Sequence, residues 1–389
     1  MPASDDKKAG KRVRVTIIDV AAKAGVHVST ASRALSQRKD HRISASVVRK
    51  IERVAEQLGY RPNLLASGLR TQRTGSIGLV VPNLGDPLFA PIIASVQERA
   101  AQNGYVTYVA SSDYKPDKLL SIIEIMSRQS VAGLVVASFD LQDPAADRCL
   151  ELDIPTVAVL RDPCHPGLSS ITMDDESGVR EVVEHILDLG HRSIVYITAP
   201  LAASTARNRL AGFMAVAERE AAAGCRFDVI EADTYDIEEG ERVMGRLIGS
   251  GLPWTAVICF NDLLAVGALV ALKSAGIACP DQVSVTGVNN LPFVSLLSPS
   301  LTTLHNAGRE IGLQGADLLM TLIENGDNAV RRVLLPSRLV RRDSAGPAPP
   351  TLAAAGPGRS DQGQRAVRRQ RTRPSARGGV SGQHVGAGG

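Results

Sequence analysis

The segment TIIDVAAKAGVHVSTASRAL (16–35) carries two short helical patterns separated by a single glycine, and few folds accept that arrangement. Thr16 stands where a first helix needs its N-cap, and Asp19, three residues on, completes a capping box. Ile17, Val20 and Ala21 then share one face. Gly25 falls where the helix must end in a positive-φ residue, a conformation glycine takes without steric cost. A second helix starts near Val28 and runs to Ala34 or Leu35. Ala21, Ala22, Ala24 and Ala31 put little bulk between the two, so they can pack closely and leave the second projecting from the surface. Ser44 caps a third helix, in which Val47, Ile51, Val54 and Leu58 recur at helical spacing before Gly59 and Pro62 end it.

In a helix-turn-helix, the start of the second helix meets base edges. Here that start carries Val28, Ser29, Thr30, Ser32 and Arg33. The Arg33 fork matches guanine O6 and N7. The hydroxyls of Thr30 and Ser32 suit phosphate oxygens, which fix register without reading sequence. A small α-hairpin with one exposed arginine would look similar, so charge is the second witness. Residues 1–75 hold 16 Lys and Arg against 6 Asp and Glu, residues 76–340 hold 19 against 32, and residues 341–389 hold 9 against 2. The net charge of +4 therefore hides a basic head on an acidic body, as a phosphate-binding module requires.

These stretches, with SASVVRKIERVAEQLGYRPNLLASGLR after them, resemble the lactose-repressor (LacI/GalR) family of bacterial transcription regulators. The resemblance continues through GSIGLVVPNL, HRSIVYITAP, RLAGFMAV, TAVICFNDLLAVGAL and SLTTLHN and covers roughly residues 13 to 342. It implies a helix-turn-helix domain over 13–60 and a hinge helix and linker over 61–75. It also implies that Leu69 is levered between the central base pairs of an operator, with Asn63 and Ala66 on the same face. An apolar wedge of that kind unstacks a step and bends the duplex. Thr16, His27 and Ser44 join the DNA-binding set by position. The chain departs from the family pattern in three places. His27 replaces a common capping serine, Val28 and Ser29 put small residues at variable base-reading positions, and SQRKDHR (36–42) is long and basic.

From Ser76 short β-rich runs alternate with amphipathic stretches, the pattern of parallel sheets covered on both faces. So many strands exceed one comfortable core and call for two α/β lobes. The resemblance implies the periplasmic-binding-protein-like architecture, with the chain crossing between lobes near 160–163, 302–305 and 332–336. Lobe one is then expected over 76–160 and 305–332, and lobe two over 163–302 and 333–342. Ligands of such folds bind beyond the carboxyl ends of strands, between the lobes. The expected effector residues are Phe89, Arg161, Arg209, Asn261 and Asn289, with Asp86 and Leu88 close by. Asp262 is expected to cap the helix after TAVICF. Leu160 and Asn289 stand where the family frequently has aspartates. Their absence suggests a less acidic cleft, and with it an acidic effector such as a sugar acid.

Two other functions were weighed, a transport receptor sharing only the two-lobed part and an enzyme on an α/β fold. The basic head argues against the first. Against the second, the chain has no phosphate loop, GxGxxG, HExxH or G-x-S-x-G. Five cysteines (149, 164, 225, 259, 279) are scattered without a C-x-x-C and read as reduced thiols, and Cys164 beside His165 makes no tetrahedral metal set. No metal or cofactor is expected. No apolar run is long enough for a membrane span, and no secretory pattern opens the chain, so a cytoplasmic location is expected. The expected partners are double-stranded operator DNA, a small-molecule effector and a second copy of the chain. No heptad repeat supports a tetramer. Residues 1–12 and the Gly-, Pro- and Arg-rich tail, 343–389, are expected to be disordered.

Overall fold

A computed structural model of the chain describes residues 15–35, 43–60, 75–326 and 329–350. Asn63, Ala66 and Leu69, the loop 36–42 and the tail from 351 lie outside the described residues. Helices α1 (Ile17–Ala24), α2 (Val28–Ala34) and α3 (Ala45–Leu58) form the head. The capping box is present: the Thr16 N–H and hydroxyl both donate to the Asp19 carboxylate, at 2.7 and 2.8 Å, and the backbone bond holds that carboxyl below its usual range. Gly25, at φ 68°, closes α1. Ser44 occupies the N-cap position of α3, but its hydroxyl meets Ser46 Oγ at 3.1 Å instead of a helix N–H. Val20, Ala21, Ala24, Ala31, Ile51 and Ala55 bury a common core, in which alanines set the close approach.

The body consists of two six-stranded sheets. The first contains β1 (Ser76–Val81), β2 (Val106–Ser111), β3 (Leu134–Val136), β4 (Thr156–Val159), β5 (Ser169–Met173) and β11 (Arg332–Leu335), in the order β11-β5-β4-β3-β1-β2. The second contains β6 (Ser193–Thr198), β7 (Arg226–Glu231), β8 (Ala256–Cys259), β9 (Ser284–Asn289), β10 (Thr302–His305) and β12 (Arg338–Val340), in the order β12-β10-β9-β8-β6-β7. All pairings are parallel except β10 with β12. Helices α4 (Phe89–Gln102), α5 (Pro116–Arg128), α6 (Pro144–Glu151) and α11 (Gly308–Asn325) belong to lobe one. Helices α7 (Asp175–Asp188), α8 (Ser204–Ala221), α9 (Ile237–Gly249) and α10 (Asp262–Ser274) belong to lobe two. Each sheet has a separate apolar core on each face. Helices α9 and α10 approach backbone to backbone, since a Cβ at Gly240 would fall on Leu264 and one at Gly267 on Ile237.

Three expected boundaries need correction. The first crossing lies after β5, not at 160–163. Residues 160–168 turn back so that β5 pairs with β4, Val157 facing Ser169, while the Leu160 N–H donates to the Ile171 carbonyl. The last crossing lies between β11 and β12, so 333–335 belong to lobe one, where Leu335 faces Met173 of β5. The described start of the tail, 343–350, is packed on lobe two. The Ser344 N–H donates to the Ser300 carbonyl, its hydroxyl to the Val285 carbonyl at 2.6 Å, and its own carbonyl accepts from the Val285 N–H. Buried His191 joins this cluster through Thr255 Oγ1 at 2.9 Å and the Gly346 carbonyl at 3.0 Å. These bonds are mainly to backbone atoms, which side-chain periodicity does not reveal.

Candidate functional site

Helix α2 projects its first turn as its sequence demands. His27 is its N-cap: Nδ1 accepts from the Ser29 N–H at 3.2 Å and lies 2.8 Å from Ser29 Oγ. A backbone N–H can only donate, so Nδ1 is the acceptor and the ring proton sits on Nε2. Histidine thus performs the capping done elsewhere by a serine. Arg33 runs back along its own helix, its Nε donating to the Ser29 carbonyl at 3.2 Å. Helical side chains lean toward the N-terminus, so this cation lies beside the first turn of α2. Val28 and Arg33 are exposed, while Thr30 and Ser32 are half-buried.

The second site lies between the lobes. Phe89, Arg161, Arg209, Asn261 and Asn289 line one inner cavity of about 30 Å³, together with Asp86, Leu88, Tyr114, Leu160 and Tyr235. The five residues singled out in the sequence therefore converge, although three of them have structural duties. Phe89 also packs in the lobe-one core. Asn261, not Asp262, caps α10: its Oδ1 accepts from the Leu264 N–H at 2.8 Å, and its Nδ2 donates to the Tyr235 carbonyl at 2.9 Å. Arg209 is 2% exposed, with Nε on Asp175 at 2.7 Å and Nη1 on the Phe260 carbonyl at 2.8 Å. Asp262 is a buried strut instead, accepting from the Leu291 N–H and the Thr303 hydroxyl, and burial pushes its carboxyl up to about 6.

Asn289 differs from these. It ends β9 at φ 121°, is 7% exposed, and its Oδ1 has no hydrogen-bond partner among the described residues. A buried amide oxygen left without a donor is costly.

Outside this cavity is a cleft of about 690 Å³. Asp86, Tyr114, Arg161 and Tyr235 line both spaces and form the partition between them. Tyr114 of lobe one stacks on Tyr235 of lobe two with centroids 4.8 Å apart. Arg161 lies 5.6 and 5.5 Å from the two rings and reaches Asp140 at 3.2 Å. Burial raises both tyrosine hydroxyls above their usual range. The two missing aspartates do not leave this cleft short of carboxylates. Its ionisable lining is Asp86, Asp140, Asp233, Asp236 and Glu238 against Arg161 alone. The carboxylates arrive after β1, after β3 and where the chain turns from β7 into α9, and Asp175 already pairs with Arg209.

Comparison with known proteins places both sites in one family. Residues 16–63 match the model of bacterial regulatory proteins, lacI family, and residues 183–345 match a periplasmic binding protein-like domain. The HTH-type transcriptional regulator DegA of Bacillus subtilis is 30% identical over 338 residues, which cover 86% of this chain and 99% of DegA. The chain belongs to the LacI family. Another LacI-family relative, the transcriptional repressor PurR of Mannheimia succiniciproducens, is 30% identical over 330 residues, 85% of this chain and 98% of PurR. Among solved structures, a lac repressor dimer bound to operator and the anti-inducer ONPF superimposes with a TM-score of 0.76 at 28% identity, covering 86% of this chain and 99% of that one. A CelR–cellobiose complex gives 0.65 at 25% identity, covering 85% and 100%. This LacI-family chain is a DNA-binding transcription regulator and not an enzyme. None of its described helices is long and apolar enough to cross a membrane.

Sequence reasoning missed Tyr114, Tyr235, Asp140 and Asp175. The first three had a signal, since each follows the carboxyl end of a strand (β2, β7 and β3), where ligands of open α/β sheets bind. Asp175, at the first position of α7, follows the carboxyl end of β5 in the same way, but only the packing of α7 on α8 brings it to Arg209.

Proposed function

We propose that this chain is a repressor that binds a pseudo-palindromic operator as a homodimer in the cytoplasm, and that a small polar metabolite in the interlobe cleft sets its operator affinity. The convergence of Phe89, Arg161, Arg209, Asn261 and Asn289 on one interlobe cavity, with an unpartnered amide oxygen inside it, carries the reading. Two heads related by a twofold axis set half-site spacing. His27, Val28, Ser29 and Arg33 face the major groove, with Arg33 as the principal base reader. Thr16, Thr30, Ser32 and Ser44 serve the backbone, and Leu69, with Asn63 and Ala66, serves the minor groove. The effector acts by preferring one lobe orientation, and the preference sets the sign of its effect. The bound cellobiose and ONPF of the related structures support a sugar or a related molecule as the ligand class.

Fluorescence anisotropy with DNA from the region upstream of the chain's own gene, with and without metabolites, tests this. Binding that weakens steeply with salt and shifts with one metabolite is expected. Salt-insensitive or absent DNA binding refutes it.

A further inference from the structure

Taking the interlobe cleft as the effector site, we propose that its effector carries positive charge, an amine or a guanidine on a small polar skeleton. Neither Arg161 nor Arg209 offers an unpaired charge to an anion. Arg209 is buried against Asp175 at 2.7 Å, and Arg161 faces Asp140 at 3.2 Å. The carboxylates of the outer cleft are less well compensated. Asp236 is held by the Glu239 N–H and the Thr234 hydroxyl, both neutral donors. Asp86 is 8% exposed and accepts from the Leu88 N–H, and burial pushes its carboxyl upward against the opposing pull of that bond and of Arg161.

Two further observations point to a ligand at this place. Asn289, more than nine-tenths buried, lines the inner cavity that shares Asp86 and both tyrosines with the cleft, and its Oδ1 has no hydrogen-bond partner among the described residues. A hydrogen-bond donor entering between the lobes would satisfy it. The tyrosine pair already receives one guanidinium, that of Arg161, within cation–π range of both rings. Aromatic faces beside carboxylates suit a second cation, whereas an anion entering there would be repelled by Asp86, Asp236 and Glu238.

Calorimetry on the full chain at pH 7 and low salt tests the inference with agmatine and with three hexose-derived probes, glucosamine, glucose and glucuronate. Agmatine and glucosamine are expected to bind, glucosamine at least about 10-fold more tightly than glucose and glucuronate most weakly. Added salt should weaken the two cations selectively. Asp86→Asn and Glu238→Gln should each reduce cation affinity several-fold more than glucose affinity. Glu238 is exposed, so Glu238→Gln keeps the test available if Asp86→Asn fails to fold. Glucuronate binding as tightly as glucosamine, or neither cation binding below about 10 mM, overturns the inference. DNA binding of the same preparations keeps the two readings apart. No DNA binding refutes the regulator reading, whereas DNA binding that responds to glucuronate and not to the cations refutes only the charge of the effector.

Discussion

The DNA-reading head and the interlobe cleft satisfy their polar groups in opposite ways. In the head, bonds close within four residues: Thr16 with Asp19, His27 with Ser29, Arg33 with Ser29. Between the lobes the buried bonds also span the chain, Arg209 with Asp175 and with Phe260 and Asn261 with Tyr235, beside local bonds such as that of Asp86 with Leu88. A reading surface must keep its donors and acceptors available to DNA, so it holds them with short local bonds at the surface. The inner site between the lobes holds its two arginines against carboxylates before any ligand arrives, because an uncompensated buried charge is expensive there.

The largest effect that would break this contrast is Arg209→Ala. It strands the Asp175 carboxylate, which burial already drives upward, and should cost about 3–5 kcal/mol of body stability in urea unfolding as well as effector affinity. Unchanged stability and unchanged effector affinity would remove Arg209 from the site.

Asp262→Asn comes next and is readable by pH. The wild-type carboxyl moves from 3.8 to about 6 on folding, so its contribution to stability is fully present below pH 3.8 and is lost as pH rises through 6. At about 1.4 kcal/mol per pH unit, the difference between wild type and Asp262→Asn should change by roughly 3 kcal/mol across that window, with the variant gaining relative stability as pH rises. Parallel stability curves would exclude a buried ionisable strut.

In the head the effects should be smaller and confined to DNA. Arg33→Ala should lose about 1–3 kcal/mol of discrimination at one base pair, measured by binding to single-substituted operators, with the body's unfolding unmoved. His27→Ala should cost about 1 kcal/mol of head stability by thermal unfolding, and His27→Ser should restore most of it. If His27→Ser behaves like alanine, the ring is doing something other than capping.

The contrast also explains how much could be read in advance. The head was legible nearly residue by residue: the capping box, the Gly25 stop and the third helix all stand where the sequence puts them, because each depends on neighbours a few positions away. The two covered parallel sheets were legible too, since strand and helix periods alternate along the chain. The first crossing was not. The resemblance puts residues from 163 onward in the second lobe, and only the pairing of β5 with β4 decides that β5 closes the first. Asp262 was taken for a cap because it opens a helix, yet Asn261 takes that role and frees Asp262 to tie β10 and the turn after β9 to α10.

The sequence by itself determined the three-helix head, the two-lobed α/β body, the family and five of the residues that meet between the lobes. Each of these is written in local periodicity or in linear motifs. The tertiary structure alone decided the electrostatic character of the cleft. Charge pairing acts through space: Asp175 reaches Arg209 from another helix, Asp140 reaches Arg161 from the loop after β3, and the turn before α9 with its first residues brings carboxylates from the far lobe. A count of arginines along the chain cannot say which of them are already paired.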